Sequence, residues 1–339
     1  MKKIGFLSFG FWNEGAGSLV RTARDSLVQS VELAVAAQEI GIAGAFYRVH
    51  HFASQQASPF VVMAAVAAKT TTLEMGTGVI DMRYETPLYL AEQAAQLDLL
   101  SEGRLQLGIS RGSPESVQAG YRHFGHEPAG SDADMARAHT DRFLRAIEGA
   151  PIALPDLQAP GPRPAAGGPV PITPQSPGLR QRVWWGAGSL GTAQWAATQG
   201  MQLMSSTLLL EDRGIPFDRL QREQVDAFRA GWAGAGWSWP SRVSVSRSIV
   251  PLVDDTTRAY FGRGRRGSEG VGQIEGVTAR FGPSFVGEPE ELVARLRQDA
   301  AVEAADMVLV TVPNLLGVDF NARLLQGVHE IGRELGWND

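Results

Sequence analysis

An arginine at the end of a predicted strand is the first candidate for chemistry in this sequence. The run from Gly103 to Gly112 reads Gly-Arg-Leu-Gln-Leu-Gly-Ile-Ser-Arg-Gly, and its apolar residues alternate with small or polar ones as in a β-strand. In parallel α/β proteins, chemistry collects at the carboxyl ends of strands, where Arg111 stands. A permanently charged guanidinium beside a glycine, which lets backbone approach a ligand, suits a bound phosphate. The alternative is an ion pair in a loop.

Two adjacent histidines, His50 and His51, end the second predicted strand. Imidazole exchanges protons near neutral pH, so a histidine here suits general acid or base catalysis. Adjacent residues of a strand point to opposite sides, so at most one of the two enters a cavity. A structural role for both is the alternative. A metal site has less support, because no His-x-x-x-His or His-x-x-Glu-His spacing occurs.

A third candidate follows the fifth predicted strand, where small residues lead into Ser189 and Thr192 at the start of a helix. Free N–H groups and a hydroxyl at a helix amino terminus make a phosphate site, although the same residues also serve as an ordinary cap. The fourth and fifth strands of a barrel are neighbours, so Arg111 and Ser189 are expected on one face. Side by side, they favour a phosphate cradle.

Glycines interrupt the third predicted strand, which contains Gly76-Thr77-Gly78-Val79-Ile80. Glycine inside a β-run costs stability and marks a bulge or a close approach of backbone to a ligand. A flat aromatic ring lying against this backbone would explain both glycines. A bend of the barrel is the alternative.

Eight short apolar segments, most of them separated by helix-like sequence, position these residues. They are Ile4–Phe9, Gly44–Val49, Leu73–Ile80, Arg104–Ser110, Arg182–Ala187, Met201–Ser206, Val243–Val250 and Asp306–Val312. In the first helix, Leu27, Val31 and Ala34 share a face, and the helix stops near Gly41. Because strand–helix alternation requires parallel pairing, eight repeats predict an α/β fold, a (β/α)8 TIM barrel. An open doubly wound sheet has less support, because no Gly-x-Gly-x-x-Gly follows the first strand.

Two segments break this rhythm. The first, rich in proline and glycine, covers about residues 151–180 after the fourth unit and predicts an excursion within one domain spanning residues 1–339. The second, about residues 254–283, follows the seventh strand and predicts a long loop over the catalytic face. It contains Arg263, Arg265 and Arg266, which are either solvated or meet an anionic ligand or partner.

The composition excludes several classes of function. A formal net charge of −5 without a long Lys/Arg run gives no reason to expect nucleic acid as a partner. The absence of cysteine excludes disulfides, thiolate catalysis and cysteine-ligated metal. The amino-terminal apolar run is too short for a signal peptide, and no stretch is long enough to span a bilayer. We therefore expect a cytoplasmic protein.

Taken in order, these motifs resemble those of the bacterial luciferase-like, flavin-dependent monooxygenases, over nearly the whole chain. The specific part is Ser101-Glu102-Gly103-Arg104-Leu105 leading to Gly108-Ile109-Ser110-Arg111-Gly112. Weaker matches are His50-His51-Phe52, Gly76-Thr77-Gly78-Val79, Pro87 with Ala91-Glu92, Phe124-Gly125, and the helix containing Ser189, Thr192, Trp195-Ala196-Ala197 and Gly200.

The resemblance implies a luciferase-like TIM barrel that binds reduced FMN and reacts with O2 through a flavin hydroperoxide to oxygenate a small organic substrate. It implies Arg111 and Ser189 at the phosphate, Thr77-Gly78 against the isoalloxazine, often with a non-proline cis peptide, and His50 as the catalytic histidine. The cofactor-binding residues expected in all are Phe9, Thr77, Gly78, Ser110, Arg111, Gly112, Gly188, Ser189 and Thr192. Phe9 and Trp12 would keep the pocket dry. A separate flavin reductase, a homodimer and a mobile loop after the seventh strand are expected as well.

Two departures argue against light emission. Val49 stands where the family often has glutamate, and Ser110 stands where the luciferases have cysteine. Three other functions remain open. A related branch uses a deazaflavin for hydride transfer, a non-catalytic flavoprotein would bind FMN without turnover, and a metal-dependent hydrolase would use His50 or His51.

Overall fold

The computed structural model describes residues 1–112, 115–156, 158, 168–262, 269–274 and 277–337. Eight strands form its centre. We number them β1 (Lys3–Ser8), β2 (Gly44–Tyr47), β3 (Glu74–Thr77), β4 (Leu105–Ser110), β5 (Val183–Ala187), β6 (Gln202–Ser205), β7 (Val243–Pro251) and β8 (Met307–Val312). All neighbouring pairs are parallel, β8 pairs with β1, and β7 pairs with both β6 and β8, so the sheet closes on itself. The predicted (β/α)8 barrel is therefore confirmed.

Two predicted strands end at least two residues earlier than expected. Strand β2 stops at Tyr47, so His50 and His51 lie in the loop that follows it. The third segment is divided, because β3 stops at Thr77 and a separate short strand, Ile80–Asp81, pairs with β4. The peptide bond between Gly78 and Val79, in this interruption, is cis.

Ten helices of the described residues connect the strands. They are α1 (Ala23–Ile40), α2 (Pro59–Lys69), α3 (Pro87–Leu100), α4 (Asp132–Ile147), α5 (Leu190–Thr198), α6 (Phe217–Ala235), α7 (Asp255–Phe261), α8 (Pro289–Gln298), α9 (Ala300–Ala304) and α10 (Gly317–Glu334). None of the helices in this described part of the chain is long and apolar enough to cross a membrane.

Side chains fill the barrel interior below the carboxyl ends of the strands. Leu7, Phe46, Trp184, Met204, Met307 and Leu309 form one buried cluster there. Neighbouring strands approach closely because glycines leave room: a Cβ on Gly76 would overlap the carbonyl oxygen of Gln106, and one on Gly108 would overlap that of Thr77. The glycine inside β3 is thus explained by packing of the barrel rather than by a ligand.

The two predicted interruptions differ from expectation in detail. In the excursion, Ala153 and Val170 form an isolated antiparallel bridge, whereas residues 159–167 lie outside the described residues. The segment 254–283 is not simply a loop, since it contains α7 and the antiparallel strands Gly270–Ile274 and Val277–Phe281. The second of these strands pairs with Leu208–Leu209, which follows β6. Arg263, Arg265 and Arg266 lie outside the described residues.

Candidate active site

A cavity of about 590 Å³ opens at the carboxyl ends of the barrel strands. Its volume is in the range of small-molecule and cofactor sites. The apolar part of its wall consists of Leu7, Phe9, Val49, Val79, Trp185, Trp195, Met204, Leu208, Leu210 and Leu309. These side chains come from separate strand ends and from the segment after β6, so the barrel closure itself assembles the site.

Eight of the nine predicted cofactor-binding residues lie in the wall of this cavity, together with His50. They are Phe9, Gly78, Ser110, Arg111, Gly112, Gly188, Ser189 and Thr192. Thr77 is not in the wall: it is fully buried, and its hydroxyl donates to the carbonyl oxygen of Gly108 at 2.6 Å. Trp12 is likewise absent from the wall. Thr77 lies outside because β3 ends there and only the next residue, Gly78, reaches the opening.

The turn after β4 has a shape that only glycine permits. Gly112 has a φ of 93°, and a Cβ at this position would overlap the carboxylate of Asp81. The Gly112 amide donates to the Ser110 hydroxyl at 2.8 Å. This close turn changes the direction of the chain immediately after β4. Arg111, which lies between Ser110 and Gly112, lines the cavity.

Asp81, which also lines the cavity, is held by Arg83. Nε and Nη2 of Arg83 lie 3.0 and 2.7 Å from Asp81 Oδ2, and Nη1 lies 2.7 Å from Asp132 at the start of α4. Burial raises the pKa of Asp81 above its usual value, although Arg83 opposes that shift. The sequence analysis did not identify this pair, because neither residue belongs to a recognisable motif.

The amino terminus of α5 carries the predicted serine and threonine. Ser189 is the N-cap: its hydroxyl accepts from the Thr192 amide at 3.3 Å, and the Thr192 hydroxyl accepts from the Ser189 amide at 3.2 Å. The next amide, that of Leu190, donates to a carboxylate oxygen of Glu211 at 3.0 Å. The residues therefore form a helix cap, and they also face the cavity that Arg111 lines; their part in phosphate binding stays a prediction.

His50 enters the cavity next to a carboxylate that the sequence analysis missed. Its Nδ1 lies 3.0 Å from both carboxylate oxygens of Glu115, and the two side chains are 10% and 4% exposed. Glu115 lies five residues beyond the end of β4, whereas His50 follows β2. The sequence shows only that an acidic residue stands shortly after the Arg111-Gly112 turn, and this does not predict that its partner is His50.

His51 packs away from the cavity, although the two histidines lie in the loop after β2 and not on a strand as predicted. Its ring stacks on Tyr84 with centroids 4.1 Å apart and meets the edge of Phe124 at 5.0 Å. Burial lowers the pKa of His51. Only one histidine of the pair therefore faces the cavity.

Two further arginines line the cavity and were not predicted. The Arg48 guanidinium lies 4.7 Å from the centroid of the Phe9 ring, and that of Arg137 lies 5.5 Å from the centroid of Trp195. Burial lowers the pKa of Arg48, and the charge of Glu115 opposes this shift. With Arg111, they give the wall three cationic side chains, a charge distribution that suits an anionic ligand.

The titratable side chains do not gather as a metal site does. Within the described ranges, no group of three or more histidine, cysteine, aspartate or glutamate residues lies close enough to hold a metal ion. Besides the carboxylates of Asp81 and Glu115, the wall carries guanidinium groups, hydroxyls and a helix amino terminus, which are groups that bind organic anions.

Curated relatives match parts of the chain. A 4-hydroxyprotoasukamycin monooxygenase from Streptomyces nodosus subsp. asukaensis is 31% identical over 125 residues, 36% of this chain and 33% of that protein. The oxygenase component of a flavin-dependent trigonelline monooxygenase from Acinetobacter baylyi is 41% identical over 56 residues, 16% of each chain. The chain thus matches only about a third or less of the length of these relatives.

Solved structures match almost the whole chain. The oxygenating constituent of 3,6-diketocamphane monooxygenase from Pseudomonas putida, in complex with FMN, superposes with a TM-score of 0.68 at 15% identity and covers 97% of both chains. The same fold occurs in enzymes that depend on coenzyme F420. At such low identities these likenesses extend to the fold alone.

A model of one protein family matches residues 4–261, which is more than half of the chain. The family is described as luciferase-like monooxygenase. Together with the closed parallel barrel, this match gives the identification: the chain belongs to the luciferase-like monooxygenase family.

Proposed function

We propose that this chain is a flavin-dependent monooxygenase that binds reduced FMN in the barrel cavity and uses O2 to oxygenate a small organic substrate. One observation carries the proposal. The cavity brings together Arg111, the amino terminus of α5 and a histidine that is hydrogen-bonded to a carboxylate. The rest of its wall is largely apolar. Family membership supports oxygenation as the reaction class.

The residues present fit FMN. The guanidinium of Arg111 and the hydroxyls of Ser189 and Thr192 are suitable donors for its phosphate. A Cβ on Gly78 would come within 2.8 Å of Leu7 Cδ1, so packing against Leu7 favours glycine here, and its bare backbone lines the cavity in which a planar ring would lie. Bound reduced FMN would supply the two electrons that send one oxygen atom of O2 into the substrate and the other into water.

The protein's own contribution is positioning, exclusion of water and proton transfer. Apolar side chains such as Phe9 and Trp185 line the cavity, where they keep water from competing with the substrate. His50 would hold or move a proton at Nε2 beside the bound flavin. We propose that the chain receives reduced flavin from a separate reductase, and the name of one relative, the oxygenase component of a flavin-dependent trigonelline monooxygenase, supports this.

Stopped-flow mixing with O2 tests this proposal. The protein is loaded anaerobically with reduced FMN, and its reoxidation is compared with that of free reduced FMN while a substrate panel is screened with isotopically labelled O2. We expect slower reoxidation than in free solution and a product that carries one labelled oxygen atom. His50→Ala should keep the affinity for FMN and slow oxygenation by roughly 10²–10⁴-fold. The exposed His123 provides the matched control, His123→Ala.

Two results would contradict the proposal. Reoxidation as fast as in free solution, with no labelled product, would remove oxygenation as the function and leave a flavin-binding protein without turnover. Tight binding of the deazaflavin coenzyme F420 in preference to FMN, with hydride transfer in the absence of O2, would favour the related branch instead.

A further inference from the structure

Glu115 stands in a position that the proposed function does not explain. A carboxylate that is only 4% exposed is costly to bury, and its two oxygens lie at equal distances, 3.0 Å, from one ring nitrogen of His50. Neither sequence neighbour of His50 supplies a carboxylate, because Val49 is apolar and His51 packs against Tyr84. The partner of His50 is therefore delivered by a different strand end.

The hydrogen bond to Glu115 occupies one of the two ring nitrogens of His50. An ionised carboxylate only accepts hydrogen bonds, so Nδ1 of His50 must carry the proton that lies between them. Nε2 has no hydrogen-bond partner within the described part of the chain and is the ring nitrogen left for a ligand. In a neutral imidazole this arrangement gives Nε2 the lone pair, which is the form that accepts a proton.

We infer that Glu115 is a positioning residue, which fixes the orientation and tautomer of His50 so that an unprotonated Nε2 faces the bound cofactor and substrate. The inference rests on the proposed function in one respect, namely that His50 takes part in the oxygenation reaction. The geometry of the Glu115–His50 pair does not depend on it. Orientation of a histidine through its second nitrogen is a general device of catalytic sites.

The first test is nitrogen NMR of the His50 ring in the protein without flavin, under alkaline conditions, with the signal assigned by its loss in His50→Gln. We expect Nδ1 to be protonated and Nε2 to be unprotonated in the wild-type protein. In Glu115→Gln, the amide can donate as well as accept, so both tautomers should be populated. A wild-type ring with the proton on Nε2, or an unchanged ring in Glu115→Gln, would overturn the inference.

The second test separates positioning from a purely structural role. We expect Glu115→Gln to keep the Kd for FMN and the substrate KM within about 2-fold while kcat falls by roughly 10- to 10⁴-fold. Glu115→Asp, which keeps the carboxylate, should restore part of kcat. Glu127→Gln is the control, because Glu127 is 69% exposed and pairs with Arg122 on the surface. An equal fall in FMN affinity and kcat, without rescue by aspartate, would assign Glu115 a structural role.

The two tests distinguish failure of the inference from failure of the proposed function. If Nδ1 of His50 carries the proton in the flavin-free protein but the wild-type enzyme does not oxygenate any substrate, the proposed function is contradicted and the role of Glu115 is not. If Glu115→Gln does not fold, the wild-type spectrum still decides the inference, because a proton on Nε2 of His50 instead of Nδ1 would overturn it.

Discussion

At the scale of single residues, two carboxylates of the cavity wall are each held by a basic side chain. Glu115 bonds to His50, and Asp81 bonds to Arg83. Such pairing keeps side chains in one geometry before a ligand binds, which lowers the cost of organising a site. The cavity is therefore pre-organised for a ligand that carries both charge and apolar surface.

Glu85 is a titratable residue whose charge the fold disfavours. Burial, together with the nearby charge of Asp81, raises the pKa of Glu85 to about 7. A carboxyl group with a raised pKa binds its proton more tightly in the folded state, so stability is lost as pH rises from the ordinary glutamate value through about 7. Glu85→Gln should remove this loss. The test is to measure the thermal unfolding of the wild-type protein and of Glu85→Gln across this pH range, with Glu127→Gln as control. The same dependence of the unfolding temperature on pH in Glu85→Gln and in the wild-type protein would contradict the prediction.

The residues that sequence reasoning found share one property. Arg111, His50 and Ser189 each follow a strand closely, so the strand pattern alone places them near the carboxyl ends of the barrel. Glu115 and Arg48 were missed because their roles depend on which loop turns toward which side chain. Thr77, predicted to bind the cofactor, is buried and does not line the cavity, because β3 ends at Thr77 although the strand was expected to continue to Ile80.

At the scale of elements, the buried face of α1 contains the predicted Ala34 but differs from the prediction at its first turns. Leu27 is 43% exposed, whereas Ser26 and Ser30 are buried. Their hydroxyls donate to the carbonyl oxygens of Gly10 and Ser26, each at 2.8 Å, so the polar atoms can leave water without an unpaired group. Hydrophobic periodicity cannot predict that a polar residue is buried with its hydrogen bonds formed. It did predict the end of the helix at Gly41.

The segment after β7 contains a strand that the local sequence does not predict. Its strand Val277–Phe281 pairs with Leu208–Leu209, about 70 residues earlier in the chain, and the amide of Gly282 donates to the carbonyl of Thr207 at 2.8 Å. Leu208 and Leu210 line the cavity. A glycine-rich sequence predicted a loop here because strand pairing with a distant segment leaves no local pattern.

The start of α5 allows capping to be separated from ligand binding. Ser189→Ala and Ser131→Ala each remove an N-cap hydroxyl, from α5 and α4 respectively, and each should cost about 1 kcal/mol of stability. Only Ser189 lies in the cavity wall. Ser189→Ala should therefore weaken FMN by roughly 10-fold or more through the lost bond to the phosphate, while Ser131→Ala leaves the Kd unchanged. Calorimetric titration and thermal unfolding of both variants measure the two effects, and equal Kd values would contradict the placement of the phosphate.

At the scale of the whole molecule, a buried ion pair ties the barrel to its outer helices. Arg247 on β7 is 1% exposed, and its Nε and Nη2 lie 2.8 Å from the two carboxylate oxygens of Asp299. Asp299 in turn caps α9, and Arg247 Nη1 donates to Gln221 on α6 at 2.7 Å. One arginine therefore connects a barrel strand to two helices.

Removal of that arginine should destabilise the fold without touching the cavity. Arg247→Met leaves the buried carboxylate of Asp299 without its counter-charge, and we expect a loss of about 3–5 kcal/mol in the free energy of unfolding. Arg258→Met, which breaks the exposed pair with Glu288, should change little because solvent screens surface pairs. Denaturant unfolding compares the two variants. A similar, small effect in both would show that the Arg247–Asp299 pair does not tie the elements together.

The central claim, that the cavity holds FMN with Arg111 at its phosphate, is tested most directly by calorimetric titration of FMN and of riboflavin, which lacks the phosphate. Arg111→Ala should cost about 3 kcal/mol of FMN binding, roughly 10²-fold in Kd, and leave the Kd for riboflavin nearly unchanged. Arg145→Ala, at an exposed arginine of α4, is the control. Equal weakening of both ligands, or no weakening of FMN, would contradict the account.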